Sequence, residues 1–314
     1  MSDNPEIMRG VFAAVLTPLH GDLAPDHGRM ARHCRWLLAN GCDGLAILGT
    51  TGESTSFSAK ERMGILEGLA TEGIPLEKSM PGTGAAAFTD SVEITRHALS
   101  MGVGGVLMLP PFYFKGVHDD GVFAAYAEVI ERIGDPALRV YLYNFPQMSG
   151  VPLSLDVIGR LIDRYPDTVV GAKDSSGDIG NMLAMVERFP GFAVFPGSEA
   201  VFLEVLQAGG AGCITAVSNV SAPVAQRVYS AWTNSHVVDE DANTLLAALR
   251  TTITAYPLSA GLKALMARHT DDAGWERVRP TLTCLDDPAR DALFDAVDQT
   301  GYVLPPMLPC PMRP

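Results

Sequence analysis

The sequence predicts an α/β fold, a (β/α)8 TIM barrel followed by a C-terminal helical extension. Two observations carry this. Short apolar runs alternate with longer amphipathic ones roughly every 25 to 35 residues, as strand–helix units do. Eight such units fit in about 220 residues, and the polar motifs fall at predicted strand ends, where barrels of this kind keep their chemistry. A doubly wound open sheet is the alternative, but no Gly-x-Gly-x-x-Gly follows the first strand.

In chain order, Val11 to Leu16 reads as the first strand, closed by Thr17-Pro18. Residues 26–40 read as a helix with Met30, Cys34, Leu37 and Leu38 on one face, stopped by Asn40-Gly41. Gly44 to Leu48 is the second strand, and Ser58-Ala59-Lys60-Glu61 has capping-box spacing that opens a helix. The third strand is the weakest, within Lys78 to Gly82. Asp90 to Met101 is helical, Gly105 to Leu109 the fourth strand, Phe123 to Ile133 a helix and Val140 to Tyr143 the fifth strand. Ser154 to Arg164 is helical, with Val157, Ile158, Leu161 and Ile162 inward. The sixth strand is the Val169-Val170-Gly171-Ala172 run, which has no polar face and suits a strand covered on both sides. Phe192 to Phe195 is the seventh, Glu199 to Gln207 a helix, and Gly212 to Ala216 the eighth. Helices follow at about 239–254, 258–268 and 287–299. The expected division is a barrel over 1–225, a helical extension over 226–303 and a Pro-rich tail over 304–314, extended or disordered.

Bulk properties narrow the function. Hydrophobic residues at 47% and charged residues at 19% give ample core material and argue against disorder. A net charge of -13 makes a nucleic-acid backbone an unfavourable partner, though a site on an acidic protein can still be locally positive. Cys34, Cys42, Cys213, Cys284 and Cys310 are odd in number and lack metal-ligand spacing, which reads as free thiols in a reducing compartment. The seven histidines are likewise unpaired, so no metal is expected. MSDNPEIMRG lacks the pattern of a signal peptide, and no run of about 18 apolar residues spans a membrane. The expectation is a cytoplasmic protein with neither nucleic-acid nor membrane partners.

Three strand ends carry candidate chemistry. Gly49-Thr50-Thr51-Gly52-Glu53-Ser54 sets two hydroxyls between glycines, a neutral donor cluster suited to a carboxylate. Its plain structural reading is a Gly-rich turn, and it is no Walker loop, because no lysine follows at the required spacing. Tyr143-Asn144-Phe145-Pro146 offers a phenol that can relay protons, or simply a rim aromatic. Lys173 ends the sixth strand, where desolvation disfavours the ammonium form, and a neutral amine is what Schiff-base chemistry requires. The bland alternative is a strand cap pointing into water.

Gly-Thr-Thr-Gly-Glu at 49–53, Tyr-Asn-x-Pro at 143–146 and Gly-x-Lys at 171–173, in this order and spacing, resemble the pyruvate-dependent class I aldolases and lyases that include dihydrodipicolinate synthase and N-acetylneuraminate lyase. The resemblance runs from Val11 through the helical extension. It implies that Lys173 forms an imine with pyruvate or another 2-keto acid, so that no separate cofactor is needed. Tyr143 would be the general acid/base, and Thr50 and Thr51 would hold the carboxylate. Thr50 would also link Tyr143 to a tyrosine lent by a neighbouring subunit, matched by Tyr113 in Pro110-Pro111-Phe112-Tyr113. Gly49 and Ile214 are further implied substrate-binding residues, and a homotetramer built as a dimer of dimers is the implied assembly.

The chain departs from the synthase pattern at Met148, where the synthases carry an arginine for the second substrate's carboxylate. A thioether cannot make that bidentate contact. The Lys-Asp-Ser-Ser-Gly-Asp run at 173–178 looks more like the sugar-acid lyases, with Ser175 and Glu199 as substrate contacts. Ala200 and Ala216 lack groups that the neuraminate lyases carry. The expected activity is aldol cleavage or condensation of a 2-keto-3-deoxy sugar acid, with pyruvate as the keto-acid half. Its dehydration, or 4-hydroxy-tetrahydrodipicolinate synthesis despite Met148, are the alternatives within the family. A catalytically idle binding relative is a further alternative, disfavoured by intact Lys173, Tyr143, Thr50 and Thr51. A phosphorylated substrate is disfavoured because 195–198 and 216–219 make a poor phosphate cradle.

Overall fold

A computed structural model describes residues 7–307. Seven parallel strands form two arcs: β1 (Gly10–Ala14) between β2 (Gly44–Ala46) and β7 (Gly212–Thr215), and β3 (Val106–Met108), β4 (Val140–Asn144), β5 (Val169–Asp174) and β6 (Ala193–Pro196) in sequence order. At one seam the Ala211 N–H donates to the Val194 carbonyl at 2.9 Å. At the other, residues 79–82 lie between β2 and β3 as the eighth stave. Met80 and Gly82 donate to Leu45 and Ile47, while the Ser79 and Pro81 carbonyls accept from Gly104 and Leu107. The stave makes isolated bridges rather than a ladder because Pro81 has no N–H to give toward β3. That is also why its strand signal in the sequence was weak. The barrel closes.

The lumen is filled from successive staves by Phe12, Ala46, Met80, Leu107, Tyr141, Phe195 and Ile214, all buried. Tyr141 needs space on β5: a Cβ at Gly171 would stand 2.6 Å from its ring, so the small residue in the Gly-x-Lys motif accommodates an aromatic plug. A second cluster, which includes Val11 of β1 and Cys213 of β7, joins the barrel to the helices after it.

Helix boundaries follow capping chemistry. His27–Ala39 starts at Asp26, whose side chain accepts from Arg29 N, and the predicted capping box at Ser58 and Glu61 opens Ala59–Thr71. Helices Phe88–Ser100, Asp119–Ile133 and Leu155–Arg164 lie close to the ranges read from periodicity. Two long helices had no counterpart in the reading: Ile179–Arg188, whose N-cap Asp178 accepts from Asn181 N, and Ser218–Ser235, which carries Pro223 inside it. Residue 225, the expected end of the barrel, falls within that second helix. The predicted helix at Glu199 divides into a 3-10 turn, Glu199–Val201, and Phe202–Gln207. The extension contains Glu240–Thr254, Leu258–Thr270 and Asp287–Asp298. No helix is long and apolar enough to cross a membrane among the described residues. Of the tail, 304–307 is irregular and fixed at Trp36, whose indole N–H lies 3.2 and 3.1 Å from the Pro305 and Pro306 carbonyls. Residues 308–314, with Cys310, and residues 1–6 lie outside the described residues.

Candidate active site

β4 and β5 are neighbouring strands in register, with Tyr143 beside Lys173 and Asn144 beside Asp174. Register partners of parallel strands present side chains on the same face. Lys173 Nζ donates to the Tyr143 hydroxyl at 3.3 Å and lies 4.4 Å from its ring centroid. The Tyr143 hydroxyl lies 3.3 Å from Thr50 Oγ1. Amine, phenol and alcohol thus form one chain across residues 123 positions apart, from Thr50 to Lys173. Lys173 and Tyr143 are both buried.

The strand ends are pinned by a second pair. Asp174 is fully buried and accepts from Asn144 Nδ2 at 2.9 Å, Asn181 Nδ2 at 2.7 Å and Ser176 N at 2.7 Å. Asn144 Oδ1 in turn accepts from Leu153 N at 3.0 Å. Tyr143 and Lys173 therefore sit on backbones cross-linked one residue further on, which limits their relative movement.

The Thr50-Thr51 turn is held from both ends. Thr17 Oγ1, after β1, donates to the Gly52 carbonyl at 2.8 Å, and Ser259 Oγ, from the extension, donates to the Thr51 carbonyl at 3.3 Å. Glu53 adopts a left-handed φ of 58°. Its fully buried carboxylate pairs with Lys263 and accepts from Arg279 N at 2.8 Å. Lys263 also donates to the Arg277 carbonyl at 2.6 Å. Burial pushes the Lys263 ammonium toward its neutral form, and the Glu53 charge opposes this.

The chain of three opens into a cavity of about 710 Å³, within the usual range for small-molecule sites. Thr55, Ser56, Ser175, Ser198, Ser259 and Thr283 are among the residues that line it. Gly197 gives Ser175 its place, since a Cβ there would stand 2.1 Å from Ser175 Oγ. Met148 is in the wall, so no arginine projects from the turn after Tyr143.

Lys173, Tyr143, Thr50, Thr51 and Ser175 all line this cavity. Four predicted residues do not. Gly49 is buried beneath the turn, its carbonyl accepting from Ser54 N, and Ile214 belongs to the packed lumen. Glu199 lies behind the wall with its side chain fully buried, because the 3-10 turn after Ser198 carries it inward to Arg250 at 3.4 Å. Burial pushes its carboxyl above the ordinary range, against the pull of the guanidinium. Tyr113 is 75% exposed and packs edge-on against Phe114 at 5.3 Å. Lys115 ties that loop to the site by donating to the Ser149 carbonyl at 2.6 Å.

Sequence reasoning missed Arg250, Lys263, Asn144 and Asp174. The last two directly follow Tyr143 and Lys173 and are legible as polar groups at buried strand ends. Arg250 and Lys263 come from helices whose faces no motif marks.

This geometry defines a barrel with a buried lysine at a strand end, joined to a phenol and an alcohol. The sequence model of the dihydrodipicolinate synthetase family matches residues 7–300. A DapA-like lyase of Chloroflexus aurantiacus is 33% identical over 264 residues, 84% of this chain and 87% of that protein. The dihydrodipicolinate synthase of Agrobacterium tumefaciens C58 superposes with a TM-score of 0.85 at 31% identity, covering 93% of this chain and 99% of that one. YagE of E. coli K12, solved in complex with pyruvate, shares the fold with a TM-score of 0.86 at 24% identity, over 94% and 99% of the two chains. The chain belongs to the dihydrodipicolinate synthetase family and is a lyase.

Proposed function

We propose that this lyase cleaves, and in reverse forms, a 2-keto-3-deoxy sugar acid through an imine on Lys173, with pyruvate as the keto-acid product. The observation that carries it is the Lys173–Tyr143–Thr50 chain at the floor of a hydroxyl-rich cavity far larger than pyruvate needs. Lys173 Nζ attacks C2 of the keto acid, whose carboxylate is held by Thr50 and Thr51. The carbinolamine hydroxyl leaves as water with the Tyr143 proton, giving a protonated imine and a tyrosinate. The tyrosinate takes the C4 hydroxyl proton, the C3–C4 bond breaks, and its electrons enter the enamine while the aldehyde departs. Tyr143 returns its proton to C3, and hydrolysis of the imine releases pyruvate and restores the amine. The imine serves as the electron sink that makes the C3–C4 bond breakable.

A dehydratase would use the same imine but lose the C4 hydroxyl instead. Met148 in the wall disfavours the 4-hydroxy-tetrahydrodipicolinate synthase reading, since that position offers no carboxylate contact. Tyr113 belongs to this reading as a residue lent to a second copy, because its loop is tied to Ser149 while its exposed ring lines no part of its own cavity. The assembly in this reading is a homotetramer, at work in the cytoplasm. Incubation with keto-deoxy sugar acids, with both products identified by mass spectrometry, tests the reading. Equal amounts of pyruvate and an aldehyde are expected. A product one water lighter than the substrate, with no pyruvate, would overturn cleavage in favour of dehydration.

A further inference from the structure

The cavity has one cation that the imine chemistry does not use. Among the described lining residues only Lys173 and Arg250 carry positive charge. Arg250 comes from helix Glu240–Thr254, and its side chain is 23% exposed at the wall. Among the described residues its one ion pair is to Glu199, a single contact of 3.4 Å. A satisfied arginine–carboxylate pair is shorter and commonly bidentate, at about 2.7–2.9 Å. The guanidinium therefore keeps donors for a further partner, while Glu199 holds it in place from behind. The other two charged lining residues are committed elsewhere: Glu53 to Lys263 and Arg279, and Asp174 to Asn144, Asn181 and Ser176.

We infer that Arg250 binds a second carboxylate on the substrate, so that the preferred keto-deoxy sugar acid is a diacid and its aldehyde half carries a carboxylate. This rests on the proposed imine reading and adds the substrate class to it. The first carboxylate belongs to the keto-acid end at Thr50 and Thr51, beside Lys173. The hydroxyls of Ser175, Ser198 and Ser259 suit the carbons between the two ends. A clamp at Arg250 also accounts for Met148: the anion contact sits on the extension instead of on the turn after Tyr143. A terminal phosphate fits less well. One guanidinium without a Gly-rich cradle underserves a dianion, and the turn at 197–198 supplies no such cradle.

The test compares kcat/KM for a 2-keto-3-deoxy sugar diacid, the monoacid of the same length, and that monoacid's terminal phosphate ester. The intact protein is expected to prefer the diacid. Loss of one charge-assisted contact in R250Q is expected to lower the diacid-to-monoacid ratio about 10- to 100-fold. Because R250Q leaves the buried Glu199 carboxylate alone, the R250Q/E199Q double variant is measured beside it, and it should show the same fall without a lone buried charge. An unchanged ratio in the double variant, or a preference for the phosphate ester that Arg250 controls, would overturn the inference. Borohydride trapping of pyruvate separates the two readings. A protein that traps pyruvate but shows no Arg250-dependent ratio refutes the diacid alone, whereas one that traps nothing refutes the imine beneath it.

Discussion

The floor and the wall of this cavity are built by different means. The floor comes from β4 and β5, where parallel register sets Tyr143 beside Lys173 and one residue later sets Asn144 beside Asp174. One wall comes from the extension, where Arg250, Ser259 and Thr281 to Thr283 arrive on a helix, a helix start and an irregular segment. Register fixes the floor whatever the substrate, because a one-residue slip would turn every side chain to the other face. The wall carries no such constraint, so the chain can place an arginine there and a thioether at 148. In the proposed chemistry, reaction type belongs to the strands and substrate choice to the extension.

The comparison is broken most severely at the floor. Lys173→Ala should abolish turnover and pyruvate trapping alike, since no other lysine lines the cavity among the described residues. Intact-mass measurement after borohydride checks it. Tyr143→Phe keeps the ring beside Lys173 but removes the relay, and should cost about 10²- to 10⁴-fold in kcat, the usual worth of a positioned acid/base. Stopped-flow readings of imine formation and product release show which step slows.

A joint between floor and wall comes next. Lys263→Met leaves Glu53 buried without its cation, which should cost about 3–5 kcal/mol and loosen the Thr50-Thr51 turn. K263M/E53Q, which removes both charges, should recover much of the stability in urea unfolding. If K263M proves as stable as the parent, the Lys263–Glu53 pair is not what holds the turn.

The smallest effect concerns pH and lies away from the site. His33 is fully buried, stacked on Trp36, and burial pushes its imidazole down to about 4. Asn219 Nδ2 donates to the Ala14 and Ala216 carbonyls, so Asn219 Oδ1 is the acceptor and His33 Nε2 carries the proton at 2.9 Å. A histidine depressed in the folded state leaves the unfolded chain the better proton binder. Its stabilising contribution is therefore complete above about 6.5 and lost as pH falls toward about 4. The loss should reach roughly 3 kcal/mol at the acid end. Urea midpoints of the parent and H33Q between those pH values check the slope, which should flatten in H33Q.

The same division explains what the sequence disclosed. The floor was legible because strand ends announce themselves: an apolar run stops at Lys173, and another stops at Tyr143-Asn144. The weakest strand reading, at 78–82, marks a stave that Pro81 deprives of a ladder bond, so uncertainty in sequence corresponded to irregularity in structure. Glu199 stands out in the sequence as a carboxylate after a strand, and the fold buries it away from the cavity lining. A carboxylate at a turn after a strand can face either the cavity or the helix packed behind, and only the docking of Glu240–Thr254 decides which. Arg250 and Lys263 were invisible because a cation on an amphipathic helix reads as a solvated face until the helix is placed against something.

The measurement closest to the central claim is borohydride reduction in the presence of pyruvate, followed by peptide mass spectrometry of the parent and of Lys173→Ala. A reduced pyruvyl adduct on the peptide containing Lys173, absent from the variant, is the predicted result. A folded parent protein that gains no mass, or an adduct on another lysine, would contradict the imine at the floor of this barrel.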